Sequence, residues 1–175
     1  MSVSTLVITA GSASANAYCD VAFADQYHAD RPAVGTTWAT ATPDQKSAAI
    51  LWATKLMDAL WCWSGFPTDA VQALLWPRQG MLKLNGWEYV DLHTIPVELQ
   101  RATAEYARQL LVSDLAGNSD IETLKITSLR AGPVAFTFGE GVTAKPVPDT
   151  VFDLIPPDWG YPRSRNSGVK SLVRA

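Results

Sequence analysis

The chain has 175 residues, a net charge of −3, 47% hydrophobic and 18% charged residues, enough length for one domain that buries a core without cross-links. Cys19 and Cys62 offer neither a disulfide framework nor a metal-ligand spacing, which points to synthesis in a reducing cytosol with free thiols. Met1 to Ala17 has no basic start and no long apolar run, so it does not read as a signal peptide, and no stretch reaches the roughly 18 apolar residues of a membrane span.

Residues 1–17 read as an N-terminal arm, small and polar from Thr9 to Ala17. Asp20 caps a first helix over about Val21 to Asp30, which Arg31-Pro32 stops. Thr42-Pro43-Asp44-Gln45 is a capping box with proline at the first helical position, and it opens a helix to about Trp61. Ala49, Trp52, Leu56, Ala59 and Trp63 recur on one face of it. Ile50, Leu51, Met57 and Trp61 are apolar on the others, so this helix is expected to be central or covered by a neighbouring subunit.

Pro67-Thr68-Asp69 predicts a helical turn toward Leu75, ended by Trp76-Pro77, and Asn85-Gly86 predicts a turn. A third helix starts at Pro96 and covers about Val97 to Leu115, with Leu99, Ala102, Tyr106 and Leu110 on one side and Gly117-Asn118 as its stop. The period then changes to two. Leu124, Ile126 and Ser128, then Val134, Phe136 and Phe138, alternate with other neighbours around Gly132-Pro133 and predict a β-hairpin over about 123–139. Residues 141–175 form a proline-rich extension ending in a basic tail, with a turn of helix over Asp149 to Leu154 and an extended course beyond Trp159. The expected class is mainly α: a small helical bundle over residues 18–140 that carries the hairpin, with an extended C-terminal tail.

Charge is unevenly placed. Residues 1–160 sum to −7 while the last fifteen carry Arg163, Arg165, Lys170 and Arg174 with no acid, a +4 tail suited to nucleic acid or to an acidic protein surface. Seven tryptophans in a chain poorer in charge than the usual value of about 25% suggest that a partner covers some apolar surface.

A search for chemistry finds no catalytic constellation. His28 and His93 lie on different elements without clustered acids or thiols, and the acids are scattered singly. No nucleophile elbow, phosphate-cradling loop or metal motif is present in the sequence, so neither an enzyme nor a cofactor is expected. Leu75-Trp76-Pro77-Arg78-Gln79-Gly80 stands out instead. Proline breaks the helix, Trp76 buries a large plate, Arg78 stacks or pairs with a carboxylate, and Gly80 permits a tight return, which together read as a structural corner.

The order of motifs carries a resemblance. Ala15-Asn16-Ala17-Tyr18 precedes a short helix and a Trp38-bearing linker. A long helix, Trp76-Pro77-Arg78-x-Gly80, Gly86-Trp87, Ile95-Pro96 with Ala102, Glu105 and Ala107, and strands around Gly132-Pro133 follow. Over residues 7–140 this resembles tailed-phage proteins often labelled DnaT-like single-stranded-DNA-binding, which are similar to head-to-tail connector (adaptor) subunits. The resemblance implies a virion protein of the phage neck: a ring of usually twelve copies beneath the portal, extending the DNA channel and docking a stopper or tail-completion protein, with no membrane. It makes Trp159, Tyr161, Arg163, Arg165, Lys170 and Arg174 a candidate portal-binding tail. The alternative is a single-stranded-DNA-binding replication protein. That function needs aromatic platforms beside a basic groove, whereas the tryptophans read as lying mostly on helices at core spacing and only the tail is basic.

Overall fold

The computed structural model describes residues 3–31, 36–112, 128–131, 134–137 and 147–163. Helix α1 (Val21–Ala29) starts where the Asp20 carboxylate accepts from the Phe23 N–H at 2.7 Å. One turn, α2 (Thr37–Thr40), carries the buried Trp38. Helix α3 (Pro43–Leu60) opens on the reciprocal capping box, with Gln45 N donating to Thr42 Oγ1 at 3.3 Å and Thr42 N to Gln45 Oε1 at 2.8 Å. Helix α4 (Val97–Leu110) follows Pro96, and α5 (Asp149–Phe152) follows Pro148. No helix of the described residues is long and apolar enough to cross a membrane.

Helices α1 and α3 both pack on α4. The alanines of α4 (Ala102, Ala104 and Ala107) let the neighbouring helices come close, while Leu99 and Tyr106 fill the space between them. The buried face of α3 is Ala49, Ile50, Ala53, Leu56 and Met57, one step round from the expected face; Trp52 and Ala59 are exposed and Trp63 lies beyond the helix. Spacing could not choose among faces on a helix apolar nearly all round, and its packing partner does. Glu105 locks the bundle: its carboxylate takes Arg31 from α1's C-terminal end, Arg108 at 2.6 Å and Gln109 at 3.1 Å.

Short strand pairs cover the other end. β1 (Trp61–Trp63) pairs antiparallel with β6 (Gly160–Pro162), Cys62 opposite Tyr161. β2 (Phe66–Pro67) pairs with β3 (Arg78–Gln79). Gly160 sits at φ 147°, and a side chain there would meet the Cys62 carbonyl, so only glycine lets β6 lie this close to β1. β4 (Ser128–Ala131) and β5 (Val134–Thr137) form an antiparallel hairpin with Ser128 opposite Thr137, at the place the alternation predicts. Its expected Gly132-Pro133 turn and outer residues lie outside the described ones, as do the expected end of the third helix at Leu115 and the Gly117-Asn118 stop. The protein is mainly α, with three two-stranded pairs among the described residues.

The helical turn expected after Pro67 is absent. The Val71 N–H goes to Asp69 Oδ1 (3.0 Å), the Asp69 N–H to Gln72 Oε1 (2.9 Å) and the Leu75 N–H to Asp58 Oδ2 (3.2 Å). Donors spent on side chains cannot close helical turns. The N-terminal arm is bound in. Asn16 folds it back, accepting from Val7 N at 2.7 Å and donating to Thr5 O at 2.9 Å, and Ala15 and Ala17 are buried. Cys19 is buried too, and burial, with Asp20 adding to it, pushes its thiol up to about 12.

Candidate functional site

The strand end is built on tryptophan. Trp61 stacks on Trp63 (5.3 Å between ring centres), Trp63 meets Trp76 edge-on (5.5 Å), and Trp76 meets Trp159 (4.9 Å). Phe152 of α5 closes on Trp61 at 5.6 Å. Trp61, Trp76 and Trp159 are buried, and Trp159 Nε1 donates to Leu82 O at 2.6 Å.

The corner residues sit beside this cluster. The Trp76–Pro77 peptide is cis, Pro77 O accepts from Thr68 N (3.1 Å), and Gly80 turns the chain with φ 84°. Arg78 is buried, and among the described residues no ring stacks on it. Its guanidinium binds three carbonyls, Ser64 O (2.7 Å), Gly65 O (2.7 Å) and Leu75 O (3.0 Å), and so ties the segment at 64–65 to the one at 75–78. Beneath it, Asp58 at the end of α3 accepts from Tyr18 Oη and Leu75 N. Burial raises the Asp58 carboxyl above its ordinary value, outweighing the bonds from Tyr18 and Leu75 and the nearby Arg78. Burial also raises the Tyr18 hydroxyl, with the Asp58 charge adding to it.

From this base a tongue projects over residues 81–90. Met81 and Val90 are buried at its root, where Val90 N donates to Met81 O at 2.9 Å. Leu82 bridges Tyr89, and Lys83 N donates to Glu88 O at 2.7 Å. The Asn85-Gly86 turn closes it: Gly86 (φ 76°) donates to Lys83 O, and Asn85 Oδ1 accepts from Trp87 N (3.3 Å) and Glu88 N (3.1 Å). Its large apolar side chains point outward, with Trp87 72%, Leu84 70% and Tyr89 68% exposed. Lys83 Nζ meets Glu88 Oε2 at 2.8 Å, a bond that raises the lysine and lowers the glutamate from their ordinary values.

Two more exposed aromatics belong to the same end, Phe66 on β2 and Tyr161 on β6. Arg163 follows, exposed, with its backbone N–H held by Leu60 O at 2.6 Å. Of the residues read as a tail, the structure therefore buries Trp159, places Tyr161 in a strand and exposes Arg163; Arg165, Lys170 and Arg174 lie outside the described residues. Asn85-Gly86 by itself predicts only a turn. Alternation on both sides (Leu82, Leu84; Trp87, Tyr89) was the available signal for the tongue.

The histidines are not brought together. His28 is buried, with Nε2 on Ala104 O (3.1 Å) and its ring 4.9 Å from Trp38, and burial lowers its pKa. His93 is exposed. No group of three metal-ligating side chains occurs among the described residues.

The family model described as "Putative DnaT-like ssDNA binding protein" matches residues 4–175. The chain belongs to this family. No curated protein matches the chain, and no solved structure does. The DnaT-like match extends past residue 140, where the resemblance drawn from the sequence stopped, and takes in the basic tail. It overturns the expected head-to-tail connector role, together with its ring beneath the portal, its portal and stopper partners and its DNA merely passing through a channel. The family is described by binding single-stranded DNA, the reading that stood as the alternative. The premise held against that reading fails in part: Trp38, Trp61, Trp76 and Trp159 are core and residues 1–160 are net negative, but the tryptophans do not lie mostly on helices. Only Trp38 and Trp52 lie on α-helices, and Trp52 is exposed; Trp87 stands out from the tongue.

Proposed function

We propose that this protein binds single-stranded DNA through the strand end, as a binding protein rather than an enzyme. The observation that carries the reading is the tongue: Trp87 and Tyr89 stand in solvent on a turn braced by Asn85. Exposed rings on a preorganised loop supply what unpaired bases need, since every base has a face that stacks, with about 1–3 kcal/mol per base at stake. Phe66 and Tyr161 extend the aromatic surface on the neighbouring strand pairs. Arg163, with Arg165, Lys170 and Arg174 after it in sequence, supplies positive charge for phosphate, while the −7 of residues 1–160 discourages backbone contact elsewhere.

Fluorescence anisotropy of a labelled thymidine oligonucleotide tests this. Binding is expected at physiological salt. Because about four phosphate contacts on a single strand give a slope near 2.8, log affinity should fall with log salt with a slope of roughly −3 or shallower. Trp87→Ala should weaken binding about tenfold or more. No binding by the intact chain at physiological salt would refute the function.

A further inference from the structure

We infer that Glu88 is a specificity-determining residue of this site, holding Lys83 away from phosphate so that the tongue reads bases and not backbone. The inference rests on the single-stranded-DNA reading above. Lys83 is the one cation and Glu88 the one acid within residues 81–90, and they are matched to each other across the tongue. The pairing is built by the backbone. Lys83 N donates to Glu88 O at 2.7 Å, and the Glu88 N–H is fixed by Asn85 Oδ1 at 3.1 Å, which sets the two side chains opposite each other with the carboxylate 2.8 Å from the ammonium. Asp91 and Glu98 also bear on Lys83 electrostatically. A phosphate approaching Lys83 must therefore compete with a carboxylate already in place, in the added negative field of Asp91 and Glu98. The outward rings of Trp87 and Tyr89, on either side of Glu88 in sequence, carry no such penalty for a base.

The selectivity follows from what each nucleic acid presents. A single strand can offer a base face to Trp87 while its phosphates stay away from Glu88. A duplex offers mainly phosphates to a surface tongue, and meets the acids without gaining the stack. Lys83 is thus present but withheld, and the stacking part of the affinity is insensitive to salt.

The test uses the full chain with a labelled thymidine oligonucleotide and a labelled hairpin duplex, titrated from low to high sodium chloride. Glu88→Gln is expected to free Lys83 for one phosphate. The slope of log affinity against log salt for the single strand should steepen by about 0.7, and duplex affinity at low salt should rise several-fold. Lys83→Met alone should leave the slope of the parent protein unchanged, and adding it to Glu88→Gln should restore that slope. A merely structural role for the ion pair would alter thermal unfolding and leave the slope alone. An unchanged slope in Glu88→Gln, or a flattened slope in Lys83→Met, would overturn the inference while leaving single-stranded-DNA binding in place. Failure of the parent protein to bind the oligonucleotide would remove both.

Discussion

Glu105 in the helical body and Asp58 beneath the strand end are both acids taken into the protein, yet they lie on opposite sides of their ordinary range. Burial pushes both upward. At Glu105 the bonds from Arg108 and Gln109, with the charges of Arg108 and Arg31, win and the carboxyl is lowered. At Asp58 the partners are one hydroxyl and one backbone N–H, burial wins, and the carboxyl is raised. The helical body thus neutralises a buried charge with two guanidiniums. The strand end spends its own guanidinium, Arg78, on three carbonyls. One region uses arginine as a counter-charge and the other uses it as a tie between loops.

The largest effect should come from breaking the strand end at its ring cluster. Trp159→Ala removes a buried ring and the bond to Leu82 O, and should cost about 3–5 kcal/mol in urea unfolding. The loss should fall on the strand end first, with near-ultraviolet dichroism disappearing at lower urea than the helical signal. A single coincident transition would show that the two regions stand or fall together. Next in size, Arg78→Met leaves three carbonyls without their donor and should cost about 2–3 kcal/mol. Arg78→Lys should recover only part of this, because an ammonium cannot reproduce the planar fork.

The acids themselves give a smaller effect with a sign. Glu105 is lowered in the fold, so its stabilisation is present above its unfolded value and is lost as pH falls through the folded one. Asp58 is raised, so its stabilising form is the protonated one, present below the unfolded value and lost as pH rises through the folded one. Measured against the parent protein by chemical unfolding, Glu105→Gln should therefore hurt more at neutral pH than at acid pH. Asp58→Asn should hurt less at neutral pH than at acid pH. Parallel pH profiles for the two variants would erase the contrast. Smallest of all on stability, Trp87→Ala should shift unfolding by no more than about 0.5 kcal/mol, because the ring is 72% exposed.

The two regions also differed in how far they could be read from sequence. Asp20, Thr42 with Gln45, and the Leu99, Ala102, Tyr106 series are local signals, and each marks a helix found in place. Helix α4 ends at Leu110 with Leu111 as its C-cap, short of the expected run to Leu115, an overrun that arises because no stop signal precedes Gly117 in the sequence. The strand end has no such grammar. Trp61–Trp63 is a strand because Gly160–Pro162 lies against it, and residues 67–75 fail to be a helix because Asp58, Asp69 and Gln72 take their donors. Both outcomes are set by residues distant in sequence or by side chains whose competition is not periodic. The same gap misplaced the tryptophans: they read as lying mostly on helices, while Trp61, Trp76 and Trp159 are buried in the strand end and Trp87 stands out on the tongue.

The pairing of β1 with β6 joins positions about a hundred residues apart, a closure whose entropy must be met before the contact returns anything. Trp159 lies on the far side of that gap, yet its indole holds Leu82 at the root of the tongue. On a ribosome the capped helices can form as they emerge, while the aromatic platform waits for residues 159–162 to arrive. The strand end that carries Trp87 and Tyr89 is therefore completed late in synthesis.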